Sequence, residues 1–555
     1  MVECKSFQEK MKVHCDVIYE EGQKLFGVSE GVKRARGMKE GQYASRREER
    51  IRSVVLEKRE LRKNIRQAQC SIMRDGYKAL LDELDMKHKR LRRAEKRRKK
   101  QKVIREAKAG FKKDPFKAVK RIIQPAPVGK LKCTTEELNQ HLRITYGDNS
   151  RGVDLGDISG LPTRAEVPEI PCPSSNITRK EHEECVRKAS SPGNNAIPYK
   201  VYKRCPKLSA HLWNLNRSAF KTGQFPDCCR YSEGVYIPKT DGDFTPATGR
   251  PISLMNVQGK LYLAVLAKRL TKYAVENNYI DTSIQKGGIP EVRGCIEHFG
   301  SLWDLIRDAR INRKDLSSVW LDLANAYGNV PHLLILKALR FYHVPDKIVE
   351  IIMSYFSGVF GRFSEGELVS EWVQFEIGIF TGGVISGILF VLAINLLKEL
   401  LKQRVHKSIV YYKGNIPTPL LRMFMDDCNI TVHLPEDMQQ VLDIIQEFMV
   451  WSRFKLKSSK SRVLCYNKGC VDEETVFCID GENVPNVAEH PIKFLGRWIR
   501  ASAKDKQVIA DTITDLKRYL LLLDKSKLSQ IQKCWGYQFM ILPKMKWLLA
   551  IYEFP

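Results

Sequence analysis

Hydrophobic and polar positions follow different rhythms along this chain, and each rhythm predicts a different kind of element. From about Ala44 to Phe111 there is no proline, and Arg, Lys, Glu, Leu and Gln dominate. Val54, Leu56, Leu61 and Ile65 recur there at roughly helical spacing, as do Leu80, Leu84 and Leu91, which predicts two long helices that break at Asp75-Gly76. Beyond Leu91 the apolar stripe fades into Arg92-Arg93-Ala94-Glu95-Lys96-Arg97-Arg98-Lys99-Lys100. Between Gln124 and Ser175 prolines, glycines and aspartates thicken and only Thr135 to Leu142 looks helical, so this stretch reads as a linker or an irregular extension. Thr178-Arg179-Lys180-Glu181 has capping-box spacing and opens a helix toward Ala189, and the main domain starts there.

Further on the rhythm shortens. Val319-Trp320-Leu321-Asp322-Leu323 reads as a strand that runs into a turn and then into a helix from Leu333 to Tyr342. Met423-Phe424-Met425-Asp426-Asp427-Cys428-Asn429-Ile430 sets two neighbouring aspartates in a similar apolar frame. Ile377 to Leu397 carries no charge, and its length approaches a membrane span. Gly378, Thr381, Gly382, Gly383, Ser386, Gly387 and Asn395 interrupt it, so a glycine-bearing turn running into a buried helix is the better reading, and no membrane is expected.

Composition adds a partner to this picture. The 555 residues are 43% hydrophobic, enough to bury a large core, and 93 Lys and Arg against 64 Asp and Glu leave a formal net charge of +29. Such an excess favours a polyanion, with nucleic acid ahead of an acidic membrane surface. The basic run after Leu91 reads as a nucleic-acid arm, a nuclear localisation patch or a solvated helix end. No apolar run follows Met1-Val2-Glu3-Cys4-Lys5-Ser6, and the 15 cysteines lack paired C-x-x-C spacing, so reduced thiols in an intracellular protein are expected, nuclear or cytoplasmic with the nucleus slightly favoured. A structural zinc site is not.

The candidate chemistry lies in the aspartates. Carboxylates in strand-forming frames are costly to bury unless something positive compensates them, and three of them, Asp322, Asp426 and Asp427, suggest a divalent cation. Taken alone, an Asp-Asp pair between hydrophobic segments is more often a solvated hairpin turn, and Tyr327 is an ordinary core aromatic.

Asp322-x-x-x-x-Tyr327 with Val330-Pro331-His332, followed by Phe424-Met425-Asp426-Asp427, resembles the reverse transcriptase domain of LINE-type non-LTR retrotransposons. Arg250-Pro251-Ile252-Ser253-Leu254-Met255-Asn256-Val257 with Lys260 and Ala267-Lys268-Arg269-Leu270 is similar to the fingers motif of that family, preceded by Ile237-Pro238-Lys239. Ser191-Pro192-Gly193 with Ile197-Pro198, Gln285-Lys286-Gly287 and Phe494-Leu495-Gly496 fall in the family's order, and Asp114-Pro115-Phe116-Lys117 resembles its basic segment before the polymerase. The resemblance covers roughly Asp114 to Pro555, and motif order over that span is more specific than any single word.

The resemblance implies an α/β (α+β) right-hand polymerase with fingers, palm and a truncated helical thumb. Its expected parts are a basic helical or coiled-coil extension at 1–125, a linker at 126–175, fingers and palm at 176–500 and a partial thumb at 501–555. The implied activity is RNA-directed DNA polymerisation, with an RNA template, a DNA primer and deoxynucleoside triphosphates as partners. A catalytically inactive, RNA-binding or domesticated remnant is the alternative. Asp322, Asp426 and Asp427 would hold two magnesium ions, or manganese in their place. Lys239 and Arg250 match the cations that hold the triphosphate, with Thr381 and Gly382 in the nucleotide-positioning turn. Tyr327 matches the steric gate against a ribose 2′-hydroxyl, and Lys460 matches the lysine that gives a proton to pyrophosphate.

This chain also departs from the family. In Gly378-Ile379-Phe380-Thr381-Gly382-Gly383, Thr381 stands where glutamine is commoner, and Gly387 where proline is. Asn195-Ala196 replaces a usual Asp-Gly, and Gly328 a usual Asp. No endonuclease, RNase H or Cys/His knuckle pattern accompanies the polymerase words, so a fragment of an element is expected.

Overall fold

A computed structural model describes residues 6–27, 45–125, 127, 129–186, 191–292, 294–502 and 505–552. They form two compact units, one from residues 1–26 with 127–505 and the other from 27–126 with 506–555.

The larger unit is α/β, as expected. Its strands in chain order are β1 (Tyr231–Ile237), β2 (Arg250–Met255), β3 (Leu316–Leu321), β4 (Phe360–Glu365), β5 (Leu368–Val369), β6 (Val373–Gln374), β7 (Tyr412–Lys413), β8 (Ile416–Pro417), β9 (Leu421–Phe424), β10 (Asp427–Val432), β11 (Arg462–Asn467), β12 (Cys470–Asp472), β13 (Cys478–Ile479), β14 (Glu482–Asn483), β15 (Ile492–Phe494) and β16 (Arg497–Ile499). One sheet has the order β2-β1-β4-β5 with β6 also on β4, and the second has the order β12-β11-β3-β10-β9. In the second, β3 lies between two antiparallel neighbours and is buried along its whole length, which is why its sequence is a continuous run and not an alternating one. Some of its polar residues bond inside the sheet: Asn429 Nδ2 donates to Ser318 Oγ at 2.9 Å and to the Val319 carbonyl at 3.2 Å.

The helix Pro435–Ser452 packs on β3 and β10, and Ser386–Arg404 packs on it and on the helices His332–Phe341 and Val257–Glu276. The uncharged stretch from Ile377 is thus a glycine-bearing turn leading into the buried helix Ser386–Arg404. Among the described residues no helix is long and apolar enough to cross a membrane. No disulfide forms among the described residues either, and their cysteines are free thiols.

Several local expectations changed on folding. The helix Phe7–Phe26 belongs to the larger unit, where Met11 is buried and His14 Nε2 lies 3.3 Å from the Tyr202 hydroxyl. The stretch read as a linker is strapped along the same unit: the helix Thr135–Tyr146 stacks Tyr146 on Phe375, and the Ala165 N–H donates to the Phe341 carbonyl at 2.9 Å. Thr178 caps the helix Arg179–Cys185 through a complete capping box, and residues 187–190, toward its expected end, lie outside the described residues.

In the smaller unit the helices are Arg46–Gln67 and Ser71–Lys113, so the break falls at 68–70 and not at Asp75-Gly76. Gly76 sits inside the second helix with nothing near its Cβ position. Its cost of about 1 kcal/mol against alanine is outweighed by the pairing of the two helices. Lys58 meets Asp85 and Lys99 meets Glu48, an antiparallel register for the two helices. Val54 is buried and Ile51, Leu61, Ile65, Leu81, Leu84 and Leu91 are half-buried, whereas Leu56 and Leu80, read as core, are exposed. The remainder of this unit closes around Val119, Ile123, Leu523, Leu528 and Ile541, with Trp535 edge-on to Phe111 and Phe116. Pro115 opens the helix Pro115–Ile123, and Asp114 caps it by accepting from the Lys117 N–H at 2.9 Å.

Candidate active site

Asp322 is the first residue beyond β3, and β10 runs antiparallel to it with Cys428 opposite Leu321. One step further along this register brings Asp427 to the level of Asp322. Asp322 is fixed through its backbone: its N–H donates to Ser461 Oγ at 3.2 Å, and its carbonyl accepts from the Lys457 N–H at 2.9 Å. Phe424 pairs with Asp427, so Met425 and Asp426 are the two central residues of a tight hairpin.

Met425 has φ +60°, a conformation that usually selects glycine at the first centre of such a turn. A buried residue that sequence reasoning had not given a role, Gln285, holds it there. Its Oε1 accepts from the Met425 N–H at 3.0 Å and the Gly287 N–H at 2.9 Å, and its Nε2 donates to the Met425 carbonyl at 3.4 Å. The Lys286 N–H donates to the Met423 carbonyl at 3.0 Å, and His298 Nε2 lies 2.8 Å and 3.1 Å from the carbonyls of Ile284 and Met423. A Cβ on Gly287 would stand 2.3 Å from the Met425 nitrogen, so only glycine fits. The word Gln285-Lys286-Gly287 was visible in the sequence, but nothing in it showed that it would lie against a turn about 140 residues away.

The carboxylates repel one another. Asp426 and Asp427 are exposed to solvent at the turn, but the surrounding protein still removes part of their hydration. That desolvation, followed by the charges of Asp426 and Asp322, pushes Asp427 up to about 6, and desolvation with Asp322 raises Asp426. Tyr327, half-buried, stacks on Phe390 at 5.1 Å, and burial with the nearby Asp426 pushes its phenol up to about 12. Its carbonyl accepts from the Ile379 N–H at 2.8 Å, which ties the Asp322 loop to the glycine-bearing turn. Gly378 has φ +87°, and a Cβ there would lie 2.6 Å from the Gly328 carbonyl oxygen. Gly328, which stands where the family usually has Asp, is itself enclosed by Asn325.

A second cluster has the opposite sign. Lys239 follows β1, whose last residue Ile237 pairs with Arg250 on β2. Desolvation and then Lys460, Arg250 and Lys457 lower the pKa of Lys239, so the four cations share one neighbourhood. All four are exposed, and none joins an ion pair among the described residues. The Thr381 carbonyl accepts from the Ser253 N–H on β2 at 3.0 Å, and a Cβ on Gly382 would stand 3.1 Å from the Ser253 oxygen. The glycine-bearing turn is therefore seated on the strand that begins with Arg250. Lys457 is the member of this group that sequence reasoning passed over. Ala196, where the family usually has glycine, has φ +54°, so this alanine keeps a backbone shape better suited to glycine.

Residues 237–499 match the reverse transcriptase (RNA-dependent DNA polymerase) family. The chain carries a reverse transcriptase domain. It begins at the end of β1 and takes in both charge clusters, from Lys239 to Lys460. The chain is similar to the Pol polyprotein of the type-1 retrotransposable element R2 of Nasonia vitripennis, 27% identical over 51% of this chain and 26% of that protein. It is also similar to the Pol polyprotein of the type-2 R2 element of Drosophila melanogaster, 25% identical over 65% of this chain and 33% of that protein. A 149 kDa protein of the transposon TX1 of Xenopus laevis is 23% identical over 44% of this chain. The chain spans about a quarter to a third of the length of the first two relatives. These relatives agree with the LINE-type non-LTR class expected from the motifs.

Reverse transcriptases generally use divalent metal ions. Among the described residues no three His, Cys, Asp or Glu side chains are drawn together tightly enough to hold a metal. Asp322, Asp426 and Asp427 still fit one in kind: they are hard oxygen donors, close enough for Asp322 to raise both partners, with no cation of the protein relieving them.

Proposed function

We propose that the chain is the catalytic part of an RNA-directed DNA polymerase that adds deoxynucleotides to a primer 3′-end on an RNA template. The observation that carries this reading is the pair of opposed clusters inside the reverse transcriptase domain, three aspartates at the ends of adjoining antiparallel strands and four cations beside them. Two bound magnesium ions, with manganese as a substitute, would supply Lewis-acid activation of the primer hydroxyl and charge neutralisation at the triphosphate.

Asp322, Asp426 and Asp427 would provide the carboxylate oxygens for those ions. The Arg250 guanidinium can grip two phosphate oxygens at once, and Lys239 adds a point charge beside it. Thr381 and Gly382, seated on β2, would support the incoming nucleotide, and the Tyr327 ring, braced on Phe390, would meet a ribose 2′-hydroxyl and so favour deoxynucleotides. Lys460 would give a proton to the leaving pyrophosphate. In this reading the protein works inside the cell, where RNA, primer ends and deoxynucleotides are available.

The test is extension of an oligo-dT primer on an RNA template with magnesium, comparing the full chain with Asp426→Ala. Extension that disappears in Asp426→Ala is expected. If neither protein extends the primer while both still bind the RNA, the reading of an inactive RNA-binding remnant replaces this one.

A further inference from the structure

Three cysteines outside the polymerase chemistry meet where the helix Phe7–Phe26 lies against the turn Asp227–Cys229 that leads into β1. Gln8 joins the two elements: its Nε2 donates to the Phe225 carbonyl at 3.1 Å, and its Oε1 accepts from the Asp227 N–H at 2.8 Å. Two turns further along the same face of the helix, Cys15 is hydrogen-bonded to Cys228, and the sulfurs of Cys228 and Cys229 lie 3.9 Å apart. All three are free thiols, Cys228 half-buried and the other two buried. Hydrogen bonds from Cys15 and then Cys229, with the charge of Lys12 nearby, hold the Cys228 thiol below its ordinary range in spite of desolvation. The same hydrogen bonds, followed by burial, raise Cys15 and Cys229, so one thiolate is supported by two thiols.

We propose that Cys15 and Cys228 are a peroxide-responsive pair, whose oxidation to a disulfide ties the helix Phe7–Phe26 to the start of β1. The Cys228 thiolate attacks one oxygen of hydrogen peroxide, the O–O bond breaks, and the departing hydroxide takes up a proton to become water. The Cys15 sulfur then attacks the resulting Cys228 sulfenic acid. The S–S bond forms as the S–O bond breaks, and the Cys15 proton leaves with the hydroxide as a second water. Peroxide is the oxidant, and each sulfur gives up one electron. Cys229 is the poorer partner for Cys228, because adjacent Cα atoms are about 3.8 Å apart whereas a relaxed disulfide spans about 4.4–6.8 Å.

The experiment treats the reduced full chain, freed of reductant, with hydrogen peroxide, blocks the remaining thiols with iodoacetamide and reads the tryptic peptides by mass spectrometry. The peptides spanning 13–24 and 222–230 are expected to be joined, lighter by two hydrogens than their sum, in the parent and in Cys229→Ser, and to separate again with dithiothreitol. Cys228→Ser should form no link, and Cys15→Ser should leave a sulfenic acid on Cys228 that dimedone traps.

In the untreated protein at pH 6, iodoacetamide should label Cys228 about tenfold or more faster than Cys70, an exposed thiol of the same chain. Three results on the parent protein would overturn the proposal, whether or not the variants fold. They are Cys228 labelled no faster than Cys70, a bond between Cys228 and Cys229 as the main product, and oxidation of Cys70 while the peptides 13–24 and 222–230 stay apart.

Discussion

The acidic turn and the basic patch of the reverse transcriptase domain are opposite in charge but alike in kind. Desolvation and the nearby Asp322 raise the proton affinity of Asp426 and Asp427, and desolvation with Lys460, Arg250 and Lys457 lowers that of Lys239. Each cluster consists of like charges that no ion pair relieves among the described residues, an arrangement that a fold selected for stability alone would avoid. They differ in how they are held. Asp426 and Asp427 stand on a hairpin locked by a buried glutamine and Asp322 is held through its backbone, while the cations are exposed side chains on two loops and a strand end. On the proposed reading, rigidity accompanies the group that would position reacting atoms, and reach accompanies the group that would collect a flexible polyphosphate.

That contrast predicts different kinetic failures. Asp322→Asn removes a charge from the rigid cluster, and primer extension should fall about a thousandfold or more in kcat, with binding of the nucleic acid unchanged. Arg250→Ala removes one bidentate contact from the mobile cluster, so the KM for deoxynucleotide should rise roughly ten- to a hundredfold with a smaller change in kcat. Steady-state kinetics on both variants would break the comparison if the two effects were interchanged. Gln285→Ala leaves two backbone N–H groups without their acceptor, and kcat should drop about tenfold while KM holds; manganese binding followed by electron paramagnetic resonance should weaken as well. Gln285→Glu, which keeps the acceptor oxygen, should recover part of the metal binding if the acceptor is what matters.

The smallest effect concerns His298, which supports the same turn. It is 2% exposed, and burial lowers its pKa to about 4 against 6.5 in the unfolded chain. Between these values the unfolded chain takes up a proton that the folded one does not, so stability is lost as pH falls from 6.5 toward 4. At pH 5 the loss is about 2 kcal/mol. Urea titrations at pH 7 and pH 5 should show a smaller pH dependence in His298→Gln than in the parent protein. An unchanged dependence would place the acid sensitivity elsewhere, for example at His182 or His332, which burial also lowers to about 4.

Much of the site was legible because its signals are local. The strand before Asp322, the helix after Pro331 and the turn at Gly378 each rest on a few neighbouring residues, and the structure has β3, the helix His332–Phe341 and a left-handed glycine in those places. The break between the basic helices was misplaced for the complementary reason. Asp75-Gly76 has the local chemistry of a turn, but it lies inside a helix that pairs with its neighbour, Lys58 with Asp85 and Lys99 with Glu48, across partners 27 and 51 residues apart. Leu56 and Leu80 were read inward because helical spacing gives a period but not which of two neighbouring stripes meets a partner.

The sequence by itself determined the element types, the three aspartates with their frames, the cationic character of the helices and the family to which these words point. Only the tertiary structure decided that Gln285 clamps the turn of Asp426, that Lys457 joins Lys239, Arg250 and Lys460, and that Phe7–Phe26 packs with the larger unit. Periodicity and capping act over a few residues and leave a pattern that can be read along the chain. A hydrogen bond between Gln285 and Met425, or a shared field between Lys239 and Lys460, depends on how strands are ordered in space, and no repeat along the chain encodes it.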